Sequence, residues 1–238
     1  MTGNAAHFSG KADVYAAARP SYAPAALDFL AGLLPSGAAV ADVGAGTGKF
    51  SVLLAEKGFC VTAVEPNGDM LAKLREIPGI RAVQAAAEAT ALPDGSADAA
   101  TCAQAFHWFE PAAFRAECER ILRPGGRIFI VYNRPGAAFY EDSELNWHRR
   151  RDDHRAQTEQ RMENVRNFLG PGMREERFPN PVAYDLPGWQ AYMLSHSHSP
   201  REGDPDYSRF LGSCAAMFEK RSENGTLRLP LETIVYTA

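Results

Sequence analysis

Val40-Ala-Asp-Val-Gly-Ala-Gly-Thr-Gly-Lys-Phe50 decides how the rest of the chain is read. An apolar run carrying Val40 and Val43 meets a glycine-dense turn, and Lys49-Phe-Ser-Val-Leu-Leu-Ala-Glu56 follows with helical spacing. This order predicts a buried parallel strand, a tight loop and the helix that crosses back over the sheet. Gly44, Gly46 and Gly48 let the backbone turn sharply and approach a ligand with no Cβ in the way. The first N–H groups of the new helix then face the crevice at the strand's carboxyl end, where such sheets hold ligands. A nucleotide-like ligand is expected there.

The spacing narrows the choice. A dinucleotide fingerprint reads G-x-G-x-x-G, whereas this turn reads G-x-G-x-G with Lys49 in the place of the third fingerprint glycine. The phosphate-cradling G-x-x-x-x-G-K-[ST] is absent as well, since Phe50 follows Gly48-Lys49. Val61-Thr-Ala-Val-Glu-Pro-Asn67 supplies a second strand that ends in an acid, 21 residues beyond Gly44. Roughly 20 residues separate a glycine-rich turn from an acid that binds ribose hydroxyls. A carboxylate suits that task because it accepts from two vicinal hydroxyls at once. The bland alternative for Glu65 is an exposed strand end.

D-V-G-A-G-T-G together with V-E-P-N resembles the class I S-adenosylmethionine-dependent methyltransferases. More narrowly, Phe8-Ser-Gly-Lys-Ala-Asp-Val-Tyr15, Arg19-Pro20 and Gln104-Ala-Phe-His-Trp-Phe109 are similar to the trans-aconitate methyltransferase-like branch of small-molecule enzymes. The resemblance is good over about residues 7–132 and holds in outline beyond. It implies an α/β fold: a Rossmann-like, seven-stranded, mostly parallel sheet with an antiparallel last strand, helices on both faces and a helical cap insertion.

It also implies a cofactor site made from Phe8, Tyr15 and Arg19 of the lead-in and from Asp42, Gly44, Ala45, Gly46 and Gly48 at the turn. Glu65, Pro66 and Met70 beyond the second strand belong to it too, as do Ala87, Glu88, Gln104 and Ala105 farther along. Tyr15 and Arg19 would hold the methionine carboxylate, a task for which a guanidinium is shaped; the plain reading is a surface arm. Where the family usually places an acid against the adenine amino group, Ala85, Ala86 and Ala87 stand here and Glu88 is the first acid. A backbone N–H near Ala87 is the expected substitute. Met70 is either an adenine contact or core.

Composition sets the outer bounds. A chain of 238 residues is long enough to bury ~70–75% of its unfolded surface. We read it as a single domain with a lead-in (1–36), a cofactor-binding core (37–132), a helical cap (133–177) and sheet-edge strands with a helical insertion (178–238). A net charge of −4 offers no overall attraction to nucleic acid or anionic membrane. The four cysteines are scattered without a C-x-x-C pair, which fits a reducing cytoplasm and neither a zinc site nor a disulfide framework. No signal peptide and no stretch near the ~20 apolar residues of a membrane span are visible, so a cytoplasmic location is expected.

The remaining segments follow from local signals. Pro24–Leu34 reads as an amphipathic helix, Asn67 as the cap of a second crossover helix, and 80–84, 97–104 and 127–132 as further strands. His107, Trp108 and Phe109 sit at the carboxyl end of the fourth strand and form the expected substrate pocket. His107 is the candidate proton acceptor, with a packed core histidine as the alternative. The stretch 133–177 looks like long polar helices; its run His148–Arg155 is either a solvated face laced with i,i+4 pairs or a cap over an anionic substrate. Val182–Tyr184 and Thr226–Tyr236 look like strands, and Trp189–His198 and Tyr207–Lys220 like helices. His196 and His198 lack a third ligand, so no metal is expected.

The chemistry expected is in-line methyl transfer to a small-molecule acceptor, best a carboxylate oxygen, with S-adenosylhomocysteine as product. No nucleic-acid track is visible. The rival readings are a nicotinamide-dependent oxidoreductase and a cofactor-binding regulatory protein without catalysis. The missing third glycine and the His-Trp-Phe segment count against the first.

Overall fold

A computed structural model describes residues 19–135, 151–196 and 199–238. Chain order gives α1 (Pro24–Leu33), β1 (Ala39–Val43), α2 (Lys49–Glu56), β2 (Cys60–Val64), α3 (Gly68–Arg75), β3 (Arg81–Val83) and β4 (Ala97–Ala103). A 3-10 turn (Phe106–Trp108), α4 (Pro111–Ile121) and β5 (Leu122–Pro135) complete the first half. Then come α5 (Arg151–Leu169), β6 (Arg174–Pro179), β7 (Val182–Tyr184), α6 (Leu186–Leu194), α7 (Tyr207–Arg221), β8 (Leu227–Leu229) and β9 (Leu231–Thr237).

Seven strands form one sheet in the order β3-β2-β1-β4-β5-β9-β6. Strands β1 to β5 run parallel, and β9 is antiparallel to both β5 and β6. This is the Rossmann-like α/β sheet expected from the sequence. The strand order turns back at β1, and the chain leaves the paired strands β1 and β4 toward opposite faces of the sheet, the place where a crevice opens at their carboxyl ends.

Alternation along the strands sends side chains to two cores. Ile128, Ile130 and Tyr132 of β5 share one face with Phe114 of α4 and with Val165 and Phe168 of α5. Phe129 and Val131 point the other way, to Leu27 and Leu30 of α1 and Phe50 and Leu54 of α2. A third cluster stands apart from the sheet: Trp189, Tyr192, Phe210, Met217, Phe218, Leu227 and Leu229 join α6 and α7 to the β7–β8 ribbon.

Two local expectations change. The sheet edge is β6, Arg174–Pro179, which begins inside the stretch 133–177 read as helical. Its charged side chains give no apolar alternation because an edge strand is half solvated. Val182–Tyr184 does not join the main sheet; it pairs with Leu227–Leu229. Pro230, which has no N–H to give to a ladder, separates that ribbon from β9, so Thr226–Tyr236 is two strands. The run His148–Arg150 lies outside the described residues. No helix among the described residues is long and apolar enough to cross a membrane.

Candidate cofactor and acceptor site

The glycine turn, the ends of β2 to β4 and the segment before α1 enclose a crevice of about 400 Å³. That is within the ~300–1,000 Å³ of small-molecule sites. The turn is held by its own backbone. Gly44 and Ala45 both donate to Val64 O, at 2.9 and 3.1 Å, and Gly48 donates to Ala45 O at 3.0 Å.

Glu65 locks the turn from the side. One carboxylate oxygen accepts from Gly46 N and the other from Asn67 N, each at 2.8 Å. Burial raises its pKa, and those two N–H groups oppose the rise. Each oxygen keeps a second lone pair for a ligand hydroxyl. Asn67 in turn caps α3, accepting from Asp69 N and Met70 N at 3.0 Å.

Asp42 lies below. Fully buried, it accepts from Ser51 Oγ at 2.6 Å and Thr101 Oγ1 at 2.9 Å, tying β1 to α2 and β4. Desolvation pushes its pKa up to about 6, against the pull of those two hydroxyls. It touches the crevice floor, each of its oxygens held by one hydroxyl of the protein.

A row of polar bonds fixes the opposite wall. Ser21 O accepts from Asn133 Nδ2 at 2.9 Å and Asn180 Nδ2 at 2.7 Å, and Ala23 N donates to Thr233 Oγ1 at 2.8 Å. The approach segment is thereby stitched across β5 and β9, which puts Arg19 over the crevice mouth. Arg19 donates to Ser195 O at 3.3 Å, and Lys49 Nζ donates to Arg19 O. Burial and the neighbouring guanidinium lower the Lys49 pKa. The crevice is therefore basic at this end and acidic at the other, where Glu65, Glu88 and Glu110 gather.

At the end of β4, Gln104 adopts φ +57°, rare for a residue with a side chain. Its N–H donates to Val131 O at 2.8 Å and its Nε2 to Asn133 O at 3.1 Å, which hold it there. This twist turns the chain toward the crevice and brings Ala105, Trp108 and Phe109 to its wall.

Of the expected site residues, Arg19, Asp42, Gly44, Ala45, Gly46, Glu65, Pro66, Met70, Ala87, Glu88, Gln104, Ala105, Trp108 and Phe109 line this crevice. Phe8 and Tyr15 lie outside the described residues. Gly48 does not reach it. A Cβ there would stand 2.5 Å from Ile77 Cδ1 and 2.6 Å from Leu74 Cδ1, so this glycine serves the packing of α2 on α3. Glu88 is directed to the protein, accepting from Glu110 N at 2.9 Å.

His107 is not on the crevice wall. It packs on Trp108 and Tyr132, its Nδ1 3.5 Å from Tyr132 Oη. Burial, then the positive charge of Arg161, Arg134 and Arg19, lowers its pKa to about 3. An imidazole so hard to protonate is a poor proton acceptor. Lys49, Asn133 and Tyr192 line the crevice without having been singled out. Lys49 was readable from its place at the helix start. Asn133 and Tyr192 arrive through long-range contacts that leave no local signal.

Comparison with known proteins bears on the same part of the chain. Residues 41–130 match a family model described as a methyltransferase domain. Over that stretch the chain is similar to a methyltransferase domain. An uncharacterized methyltransferase of Mycobacterium tuberculosis is 43% identical over 142 residues, 59% of this chain and 55% of that protein. A ubiquinone biosynthesis O-methyltransferase of Xylella fastidiosa is 35% identical over 147 residues, 57% of this chain and 59% of that protein. The chain thus spans little more than half the length of the curated relatives it matches. A protein assigned as a type II methyltransferase from Anaeromyxobacter dehalogenans superposes with a TM-score of 0.63 at 25% identity, over 92% of this chain and 95% of that one. The cofactor of the methyltransferase domain is S-adenosylmethionine. The crevice fits it: a carboxylate for ribose, small Ala86 and Ala87 beside Met70 for a flat base, and cations for an amino-acid carboxylate.

Proposed function

We propose that the chain transfers the methyl group of S-adenosylmethionine to a small-molecule acceptor, with a carboxylate oxygen as the attacking atom. This is the chemistry of the trans-aconitate methyltransferase-like enzymes that the sequence resembles. The observation that carries the reading is Glu65, held at the crevice by Gly46 N and Asn67 N with lone pairs to spare. The same bonds disfavour a dinucleotide. A pyrophosphate needs loop amides to point at it, and the amides of Gly44, Ala45, Gly46 and Gly48 are committed within the protein.

The bound cofactor supplies an electrophilic methyl on a sulfonium. The chain's own residues then have to align two partners and keep water away, which is where most of the rate comes from. Glu65 fixes the ribose, Arg19 and Lys49 balance a carboxylate, and Trp108 and Phe109 close the apolar side. A carboxylate acceptor is already ionised at neutral pH and needs no general base. That matches a site where His107 stands off the wall with a depressed pKa.

Calorimetry with S-adenosylmethionine, S-adenosylhomocysteine and NAD tests the reading. Both adenosyl ligands are expected to bind and NAD not to bind. In Glu65→Gln an NH2 replaces one oxygen and meets an N–H head on, so affinity should fall at least about tenfold. Binding of NAD alone would overturn the proposal.

A further inference from the structure

Asn133, near the end of β5, lines the crevice and is bonded to both of its flanks. Its Nδ2 donates to Ser21 O at 2.9 Å, and its Oδ1 accepts from Thr233 Oγ1 at 2.6 Å. The direction of the fully buried Thr233 hydroxyl is fixed: it accepts from Ala23 N at 2.8 Å, so its one proton goes to Asn133. Asn180 Nδ2 adds a second bond to Ser21 O at 2.7 Å and reaches Asn133 Oδ1 at 3.4 Å. Ser21, Asn133, Thr233 and Ala23 thus close a ring of hydrogen bonds across the approach segment, β5 and β9. An amide suits its place in that ring, with a donor for the carbonyl at one end and an acceptor for the hydroxyl at the other.

The main chain of the same residue holds the other flank. Asn133 O accepts from Gln104 Nε2 at 3.1 Å, at the residue whose φ of +57° turns the continuation of β4 toward the crevice. The approach segment, residues 19–23, forms no helix or strand. It nevertheless gives Arg19, Pro20 and Tyr22 to the crevice, and the chain beyond Gln104 gives Ala105, Trp108 and Phe109. Backbone outside a ladder depends on side chains for its partners, and here the two irregular segments depend on one residue.

We propose that Asn133 is a positioning residue for methyl transfer, whose carboxamide and carbonyl tie the approach segment and the Gln104 turn into one frame. The two flanks of the crevice then keep a fixed separation around cofactor and acceptor. The inference rests on reading the crevice as a methyltransferase site. Alignment is what such a site contributes, and a misplacement of about 1 Å can cost about 100-fold in rate.

Asn133→Asp keeps the shape and the bond from Thr233 but turns an oxygen, not an N–H, toward Ser21 O. Thr233→Val removes the hydroxyl from a residue off the crevice wall, and Thr233→Ser restores it. Calorimetry on the full chain would use S-adenosylhomocysteine and 5′-methylthioadenosine, which lacks the amino-acid end. The nucleoside part of both ligands belongs to the Glu65 wall, which none of these substitutions touches. Asn133→Asp and Thr233→Val should each bind S-adenosylhomocysteine about tenfold more weakly. Both should bind methylthioadenosine as tightly as wild type does, and Thr233→Ser should bind both ligands like wild type.

Thermal unfolding records stability separately. Variants that melt lower but bind both ligands like wild type would make the ring structural only and overturn the proposal. Parallel loss of both ligands, or a Thr233→Ser variant no better than Thr233→Val, would overturn it as well. Should either variant fail to fold, Asn180→Ala removes the second bond to Ser21 O from a half-exposed position off the crevice wall. It should show the same split between the ligands at about threefold, and no split there would overturn the proposal. Wild-type protein that binds neither ligand would instead overturn the methyltransferase reading beneath it.

Discussion

The β1–α2–β2 segment and the C-terminal unit of β7, α6, α7 and β8 build opposite walls of one crevice by different means. The first uses backbone: a turn with three left-handed glycines, its amides closed on Val64 O, Ala45 O and Glu65. The second uses side chains: Trp189 fully buried, its Nε1 donating to Cys214 O at 3.1 Å, with tyrosines packed around it. A backbone device is written in consecutive residues, whereas an aromatic cluster is assembled from positions far apart. The segment from Arg19 to Ala23 joins the two, so each wall can be disturbed while the other is watched.

Trp189→Ala makes the largest disturbance. Removing a fully buried indole should cost about 3–5 kcal/mol, and the N–H bond to Cys214 O goes with it. Denaturant unfolding followed by hydrogen exchange checks where the loss falls. We expect early exchange in α6, α7 and the β7–β8 ribbon, with β1 to β5 still protected. Equal loss of protection in the sheet would show that the two walls fold as one unit.

Acid titration disturbs the other wall. Asp42 has a folded pKa of about 6, above its unfolded value, so the folded state binds the proton more tightly. Its effect on stability is therefore most favourable below pH 4. It declines as pH rises through the window from about 4 to 6, and is level above that. The full change is on the order of 3 kcal/mol, and raised Glu65 adds to it with the same sign. Asp42→Asn should flatten most of this slope, since an amide can still pair with the Ser51 and Thr101 hydroxyls. Urea midpoints from pH 4 to 7 for both proteins test it; an unchanged slope in the variant would place the titration elsewhere.

How much could be read in advance follows the same division. The order strand, glycine turn, helix, acid was legible because period 2 gives way to period 3.6 across residues that touch. The glycine turn and Glu65 were legible for that reason, while most other expected crevice residues up to Phe109 came from the family resemblance. Strand β6 was not, because Arg174, Glu175, Glu176 and Arg177 on a half-solvated edge spread their charges over both faces, pairing among themselves and with Glu232. Tyr192 and Asn133 were missed because their roles exist only once α6 meets Arg19 and β5 meets Ser21. Gly48 and His107 were named for the right neighbourhood but face away from the crevice, a direction that spacing alone does not encode.

The smallest predicted effect separates two glycines within the backbone wall. At Gly44, φ +70°, a Cβ would lie 2.6 Å from Ala105 Cβ and 2.9 Å from Phe109 Cζ, both part of the crevice wall. At Gly46, φ +59°, the nearest atom would be Met70 Sδ at 3.7 Å, an ordinary contact. Both alanines pay the left-handed penalty of about 1 kcal/mol, but Gly44→Ala must also push β4's continuation outward, adding about 1–3 kcal/mol. Gly44→Ala should therefore lose both stability and S-adenosylhomocysteine affinity, because the displaced Ala105 and Phe109 are the wall. Gly46→Ala should lose a little stability and keep its affinity within a few fold, provided its N–H still reaches Glu65. Paired thermal melts and calorimetry on the two variants decide it. Equal losses would mean that backbone strain alone governs the turn, and that close packing against Ala105 does not shape the crevice.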